Sequence, residues 1–203
     1  MSETTFVSGI TSAATSHILD TLSTLYANPP YAVLREFIAN GIDAHADAGH
    51  SGPVKVVLPT RNDPIIVISD QGKGMSRDTL VNTYYNYGES TKRQDDSRIG
   101  AFGLGAKSAF AVSPTWSLVS VTATHTYHVS SSINGDGIPE HKIVEETHDG
   151  SEPTGVTVTI PVHDARTSFN NEAERLRFWL PKGSVEMIGG HLRDAHWTNG
   201  ATV

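Results

Sequence analysis

The chain has 203 residues, 37% hydrophobic and 18% charged, with a net charge of −7 and no cysteine. That length fits one domain able to bury a substantial core, and the balance is that of a globular protein rather than a disordered one. The acidic excess argues against broad contact with nucleic acid or an anionic membrane, and the lack of Cys excludes disulfides and thiolate metal sites.

Taken in chain order, residues 1–10 read as a short extended arm, without the basic and apolar regions of a signal peptide. Residues 11–26 place Ile18, Leu19, Leu22 and Leu25 at helical spacing, which predicts a first helix. A second helix is expected from about 30 to 47, opened by Asn28-Pro29-Pro30 and stopped at Gly49. On it Glu36, Asn40, Asp43 and Asp47 share one stripe, while Leu34, Phe37, Ile38 and Ile42 fall on the far side. Two carboxylates and an amide stacked on one face suit a place where a metal and a water meet, although a solvated face has the same pattern.

Two β-rich runs, 54–58 and 65–69, flank a turn at 60–64 and predict a hairpin. The second run delivers Asp70 into Gln71-Gly72-Lys73-Gly74-Met75. Glycines there let the backbone approach a ligand closely, a strand-end carboxylate can accept from an exocyclic amine, and Met75 offers soft apolar packing. Alone, this is equally an ordinary Asp-Gly turn. Residues 77–86 are expected to form a short helix.

Residues 87–105 are polar, charged and Gly-rich, and read as a long lid-like loop. Gly100, Gly103 and Gly105 lead into a helix expected at 105–112, a natural cradle for phosphate. It is not a P-loop, because Ala106 separates Gly105 from Lys107, and it lacks the third glycine of a dinucleotide fingerprint. Strands are expected at 116–121, 126–132, 142–147 and 156–162, and a helix at 169–180. The tail from Pro181 is expected to form a β hairpin. Thr154-Gly155-Val156-Thr157 opens the last of those strands, where a threonine hydroxyl can face a pocket. The ten histidines show no ligand spacing, so no zinc is assigned, and His45 and His50 are expected at the surface. Trp116, Trp179 and Trp197 are expected as core or interface anchors. Helices followed by hairpin-linked strands predict an α+β, two-layer sandwich with an antiparallel-rich mixed sheet.

Together and in this order, the four blocks resemble the GHKL ATPase superfamily, with its Bergerat-type sandwich, which includes DNA gyrase B, MutL-type repair proteins, heat-shock chaperones and the histidine-kinase catalytic domain. The Glu-x-x-x-Asn-x-x-Asp-Ala box is similar to Glu36, Asn40, Asp43 and Ala44. The Asp-x-Gly-x-Gly box is similar to Asp70, Gly72 and Gly74, and the lid glycines to Gly100, Gly103 and Gly105. The stretches TLYANPPYAVLREFIANGIDAHADAG, GKGMS, IGAFGLGAKSAFAVSPTWSLVS and TGVTVTIPV resemble the N-terminal region of phage rIIA-like lysis-inhibition proteins.

The resemblance implies Mg²⁺ and ATP as cofactors. Glu36 would be the general base, Asn40 would hold Mg²⁺, Asp43 would support the pocket wall, and Asp70 would accept from adenine N6 with Gly72, Gly74 and Met75 around it. The amides of Gly103, Leu104 and Gly105 would grip phosphate, with Lys92 or Lys107 adding charge. Val156 stands where relatives carry threonine, which leaves Thr157 or Thr154 for the adenine-side hydroxyl. The implied function is a weak ATPase or ATP-driven conformational switch in a phage rIIA-like protein. Its rival is a nucleotide-binding regulatory module without significant turnover. Histidine-kinase chemistry is disfavoured, since His17 is a poor phosphoacceptor. The expected partners are ATP and ADP, with a second protomer or a host or phage protein, and no direct nucleic-acid contact. The expected setting is one domain over 1–203 in the host bacterial cytoplasm, with no transmembrane segment and peripheral membrane association left open. Residues 181–203 would be an extension or the start of a second domain.

Overall fold

The computed structural model describes residues 4–7, 27–84, 108–135, 139–148, 153–162 and 166–189. Among the described residues eight strands run β1 (Thr4–Val7), β2 (Val54–Leu58), β3 (Ile65–Ser69), β4 (Thr115–Val121), β5 (Thr126–Ile133), β6 (Pro139–Thr147), β7 (Gly155–Pro161) and β8 (Val185–Gly189). They form one sheet in the order β1-β6-β5-β4-β7-β3-β2-β8. Every pairing is antiparallel except β2 with β8, which is parallel. The two longer helices among the described residues, α1 (Pro29–Ala48) and α2 (Arg166–Arg177), pack against each other beside this sheet. The expected α+β sandwich with an antiparallel-rich mixed sheet is the architecture found.

The helix α1 begins and ends where its sequence directs. The Asn28 side chain accepts from the Tyr31 amide at 3.2 Å, Pro29 and Pro30 occupy the first turn, and Gly49 closes the helix in the left-handed region at φ 67°. Val33, Leu34, Phe37 and Ile38 are buried against the sheet's inward residues, among them Val54, Val56, Ile66, Ile68, Leu118, Val158 and Ile160. Along β2 the burial alternates, with Val54, Val56 and Leu58 inward and Lys55 and Val57 outward. The β2–β3 hairpin is tied at its turn by Thr60 N donating to Asp63 O at 2.8 Å.

Some expectations change. The segment expected as a helix over 77–86 is one α-helical turn (Arg77–Thr79) that widens into a π-helical turn (Leu80–Tyr84), within which Leu80 is buried. Of the helix expected over 105–112, the described part is a 3₁₀ turn, Ala109–Ala111. Pro114 lies just beyond and biases Ser113 away from helical geometry. The helix expected to reach 180 ends at Arg177, so Phe178 and Trp179 lie past it, 76% and 83% exposed. Trp179 is therefore not a core residue, whereas Trp116 is. The described part of the expected tail hairpin is the edge strand β8. The helix over 11–26 and Trp197 lie outside the described residues. Among the described residues no helix is long and apolar enough to cross a membrane.

Candidate functional site

Helix α1 meets the turn that follows β3 through Gly41, Ala44 and His45. Gly41 makes this approach possible: a Cβ there would stand 2.8 Å from Val54 Cγ2 and 3.3 Å from Asp70 Cβ. One turn further along, Ala44 faces Gly72, where a Cβ would come within 2.8 Å of the Ala44 methyl. The next residue, His45, pins the arrangement. Its Nε2 accepts from the Gln71 amide at 2.7 Å, which places the ring proton on Nδ1, and Nδ1 donates to the Gly52 carbonyl at 2.9 Å. His45 is 5% exposed, which corrects the expected surface position; His50 is half-buried, its ring edge-on to His45 with centroids 4.6 Å apart.

Asp70 is oriented by backbone amides. Its Oδ1 accepts from Gly72 N at 2.8 Å and from Val156 N at 3.3 Å, and its own amide donates to the Val156 carbonyl at 2.9 Å. The β7 strand can come this near because residue 155 is glycine: at φ 146°, a Cβ there would overlap the Asp70 carbonyl oxygen. Gly74 plays the same part on the other side, since at φ 69° its Cβ would overlap the Val121 carbonyl. Met75 is held by a buried serine of β4. The Met75 amide donates to Ser120 Oγ at 2.6 Å, and that hydroxyl donates to the Met75 carbonyl at 2.9 Å. His45 and Ser120 escape a reading of the sequence, because a lone His on a helix and a lone Ser on a strand carry no local signal.

On α1 itself, Glu36 and Asn40 are half-buried one turn apart, Asp43 is buried at 7% exposure, and Asp47 is exposed. The Glu36 carboxylate, 16% exposed, lies 3.4 Å from the Arg35 guanidinium. Asp70 and Gly72 are thus brought against the helix that carries Glu36, Asn40, Asp43 and Ala44, while Gly74 and Met75 lie against β4. Thr157 does not join them. The register pairs it with Ser69 and Val119 on the face opposite Val158 and Ile160, so strand alternation turns it away from α1. Val156 occupies the inward position instead and packs on the core. Lys92, Gly100, Gly103, Leu104, Gly105 and Lys107, with the expected lid over 87–105, lie outside the described residues. A separate cavity of about 570 Å³, lined among others by Pro53, Arg177 and Met187, contains none of these site residues.

Residues 28–151 match the family model for the histidine kinase-, DNA gyrase B- and HSP90-like ATPases. The chain belongs to this family. Its GHKL membership rests on more than half the sequence, and the matched span contains α1, the Asp70 turn and β4 to β6. Among curated proteins, the chaperone protein HtpG of Chromobacterium violaceum is 28% identical over 195 residues, covering 84% of this chain and 29% of the chaperone. An uncharacterized protein of Mycoplasma pneumoniae is 30% identical over 127 residues, covering 62% of this chain and 46% of that protein. The chain therefore spans less than half the length of these relatives.

Proposed function

We propose that this GHKL domain binds Mg·ATP between α1 and the Asp70–Met75 turn, and acts as a slow ATPase or ATP-driven conformational switch. The observation that carries the reading is the anchored Asp70. Two backbone amides fix its Oδ1, so the carboxylate is held in one orientation before a ligand donor arrives. Adenine N6 is such a donor, and Gly72 and Gly74 keep side chains out of the turn on which the base would rest.

The donor set of α1 fits a magnesium ion. Asn40 offers a neutral oxygen and Glu36 and Asp43 hard carboxylates, and magnesium favours few protein oxygens with water and phosphate completing its shell. Asn40 would hold the ion, which when bound neutralises charge on the phosphate oxygens. Glu36, one turn before Asn40, would orient the attacking water and accept its proton, and Asp43 would support the wall from its buried position. Lys92, Lys107 and the amides of Gly103, Leu104 and Gly105 would complete the phosphate grip from the lid. With Thr157 turned away, Thr154, half-buried ahead of β7, is the remaining hydroxyl for the adenine side.

A second reading, nucleotide binding without turnover, is favoured by the Arg35–Glu36 ion pair at 3.4 Å, which draws the carboxylate toward a cation rather than a water. The finer setting, a phage rIIA-like protein in the host cytoplasm that engages a second protomer or another protein, rests on the quoted sequence stretches. Phosphate release and ATP affinity measured side by side test the proposal. Slow wild-type turnover that vanishes in Glu36→Ala, with affinity kept within a few-fold, is the expected result. Binding without turnover in both would establish the regulatory reading. A chain that does not bind ATP would overturn both.

A further inference from the structure

The β5–β6 register brings together side chains that are unremarkable in sequence. Thr126 pairs with Thr147, so His125 falls opposite His148, and Glu146 lies two residues back along β6. One ligand atom from each of His125, Glu146 and His148 lies within 4.8 Å of the others, and the two imidazole centroids are 4.1 Å apart. Alternation puts His125, Glu146 and His148 on one face of the sheet, while His128 points to the other.

We propose that His125, Glu146 and His148 form a binding site for a divalent transition-metal ion of the zinc class, fastening the β4–β5 turn to the end of β6. Two imidazoles and a carboxylate are a recurrent zinc donor set, whereas magnesium and calcium take oxygen ligands. The site has the supporting bond that a metal-ligating histidine needs. His125 Nδ1 lies 2.7 Å from Thr124 Oγ1, and with Nδ1–H donating to that hydroxyl, Nε2 keeps its lone pair for a metal. The His125 ring is stacked on Tyr127, with an interplanar angle of 2° and centroids 5.7 Å apart, which limits its rotation. Tetrahedral zinc places ligand atoms about 3.3 Å from one another. Closing the remaining distance falls to His148, which is exposed and has room to turn. Glu146 would leave Arg77, a partner held only at 3.7 Å by a half-exposed guanidinium. Because Arg77 begins the helical turn just after Met75, metal at this place would also bear on the outer end of the Asp70–Met75 segment.

The test is zinc titration of the untagged, nucleotide-free full chain against a chromogenic chelator, with cobalt absorption reporting geometry. One zinc per chain at micromolar affinity or tighter is expected, with a tetrahedral cobalt spectrum and a zinc-dependent rise in melting temperature. His125→Gln and His148→Gln should each weaken binding roughly tenfold or more. His128→Gln, on the opposite face, should bind like wild type. His148 is exposed, so its variant keeps the fold, and loss of the zinc-dependent melting shift in it supports the site. Zinc retained at wild-type affinity by the His125→Gln/His148→Gln double variant would place binding on other histidines and overturn the proposal. So would absence of micromolar binding by the wild type.

Discussion

Asp70 and Val156 exchange two hydrogen bonds: the Asp70 amide donates to the Val156 carbonyl at 2.9 Å, and Asp70 Oδ1 accepts from the Val156 amide at 3.3 Å. The carboxylate is thereby set by the same β3–β7 pairing that builds the sheet, before any ligand arrives. Preorganisation of this kind spares a binding site the cost of ordering its key acceptor at the moment of binding.

The glycines around this pair give the first prediction. Gly155→Ala would drive a methyl into the Asp70 carbonyl, and Gly74→Ala into that of Val121, both at positive φ. Each should cost more than about 3 kcal/mol, because backbone atoms on both sides would have to move. Gly49 also has positive φ but nothing within 4 Å of its added Cβ, so Gly49→Ala should cost only about 1–2 kcal/mol. Urea unfolding of the three variants checks the order. Equal losses would mean that conformation alone, and not close approach, explains the glycines at 74 and 155.

His45 yields the second. It links α1, the Gly52 carbonyl and the Gln71 amide through its two ring nitrogens. His45→Phe keeps an aromatic body and removes both bonds. Gln71 is exposed, so water can take over part of that loss. A destabilisation of about 1–3 kcal/mol is therefore expected, seen as a lower urea midpoint at unchanged slope. ATP affinity should also fall several-fold, since the turn carrying Asp70 would lose its tie to the helix. Wild-type affinity in a destabilised variant would limit His45 to a role in folding.

The local signals were legible and the cross-chain ones were not. Asn28, the two prolines and Gly49 announce α1 within its own sequence, and the alternation of residues 54–58 and 65–69 announces the hairpin. Asp70, Gly72 and Gly74 are readable because a strand running into two spaced glycines is a local pattern. The burial of His45 is different, because it depends on how closely Gly41 lets the helix approach Val54 and Asp70. Between Thr154 and Thr157 the sequence does not decide, because strand alternation has two phases and only the register of Thr157 with Ser69 and Val119 fixes its face. The meeting of His125 with His148 is likewise a product of pairing between strands. Phe178 and Trp179 continue an apolar pattern past the helix end, which periodicity alone does not locate.

The last prediction separates the two duties of Asp70. If the carboxylate both receives the Gly72 and Val156 amides and recognises adenine N6, its isosteric amide should keep the first duty and lose the second. In Asp70→Asn the amide oxygen can still accept from Gly72 N and Val156 N, so stability should stay within about 1 kcal/mol of wild type. The other end of the group then becomes an NH₂ facing another NH₂, and ATP binding should weaken by about 1–3 kcal/mol. Asp70→Ala removes the acceptor altogether, so it should lose both the affinity and about 1–3 kcal/mol of stability. Wild-type protein should bind GTP poorly, because guanine presents a carbonyl where adenine presents its amine, and two acceptors would then face each other. Calorimetry with both nucleotides, paired with unfolding curves for the two variants, reads all of this. Equal ATP and GTP affinities, or full ATP affinity in Asp70→Asn, would remove Asp70 from base recognition and leave it as the peg between β3 and β7.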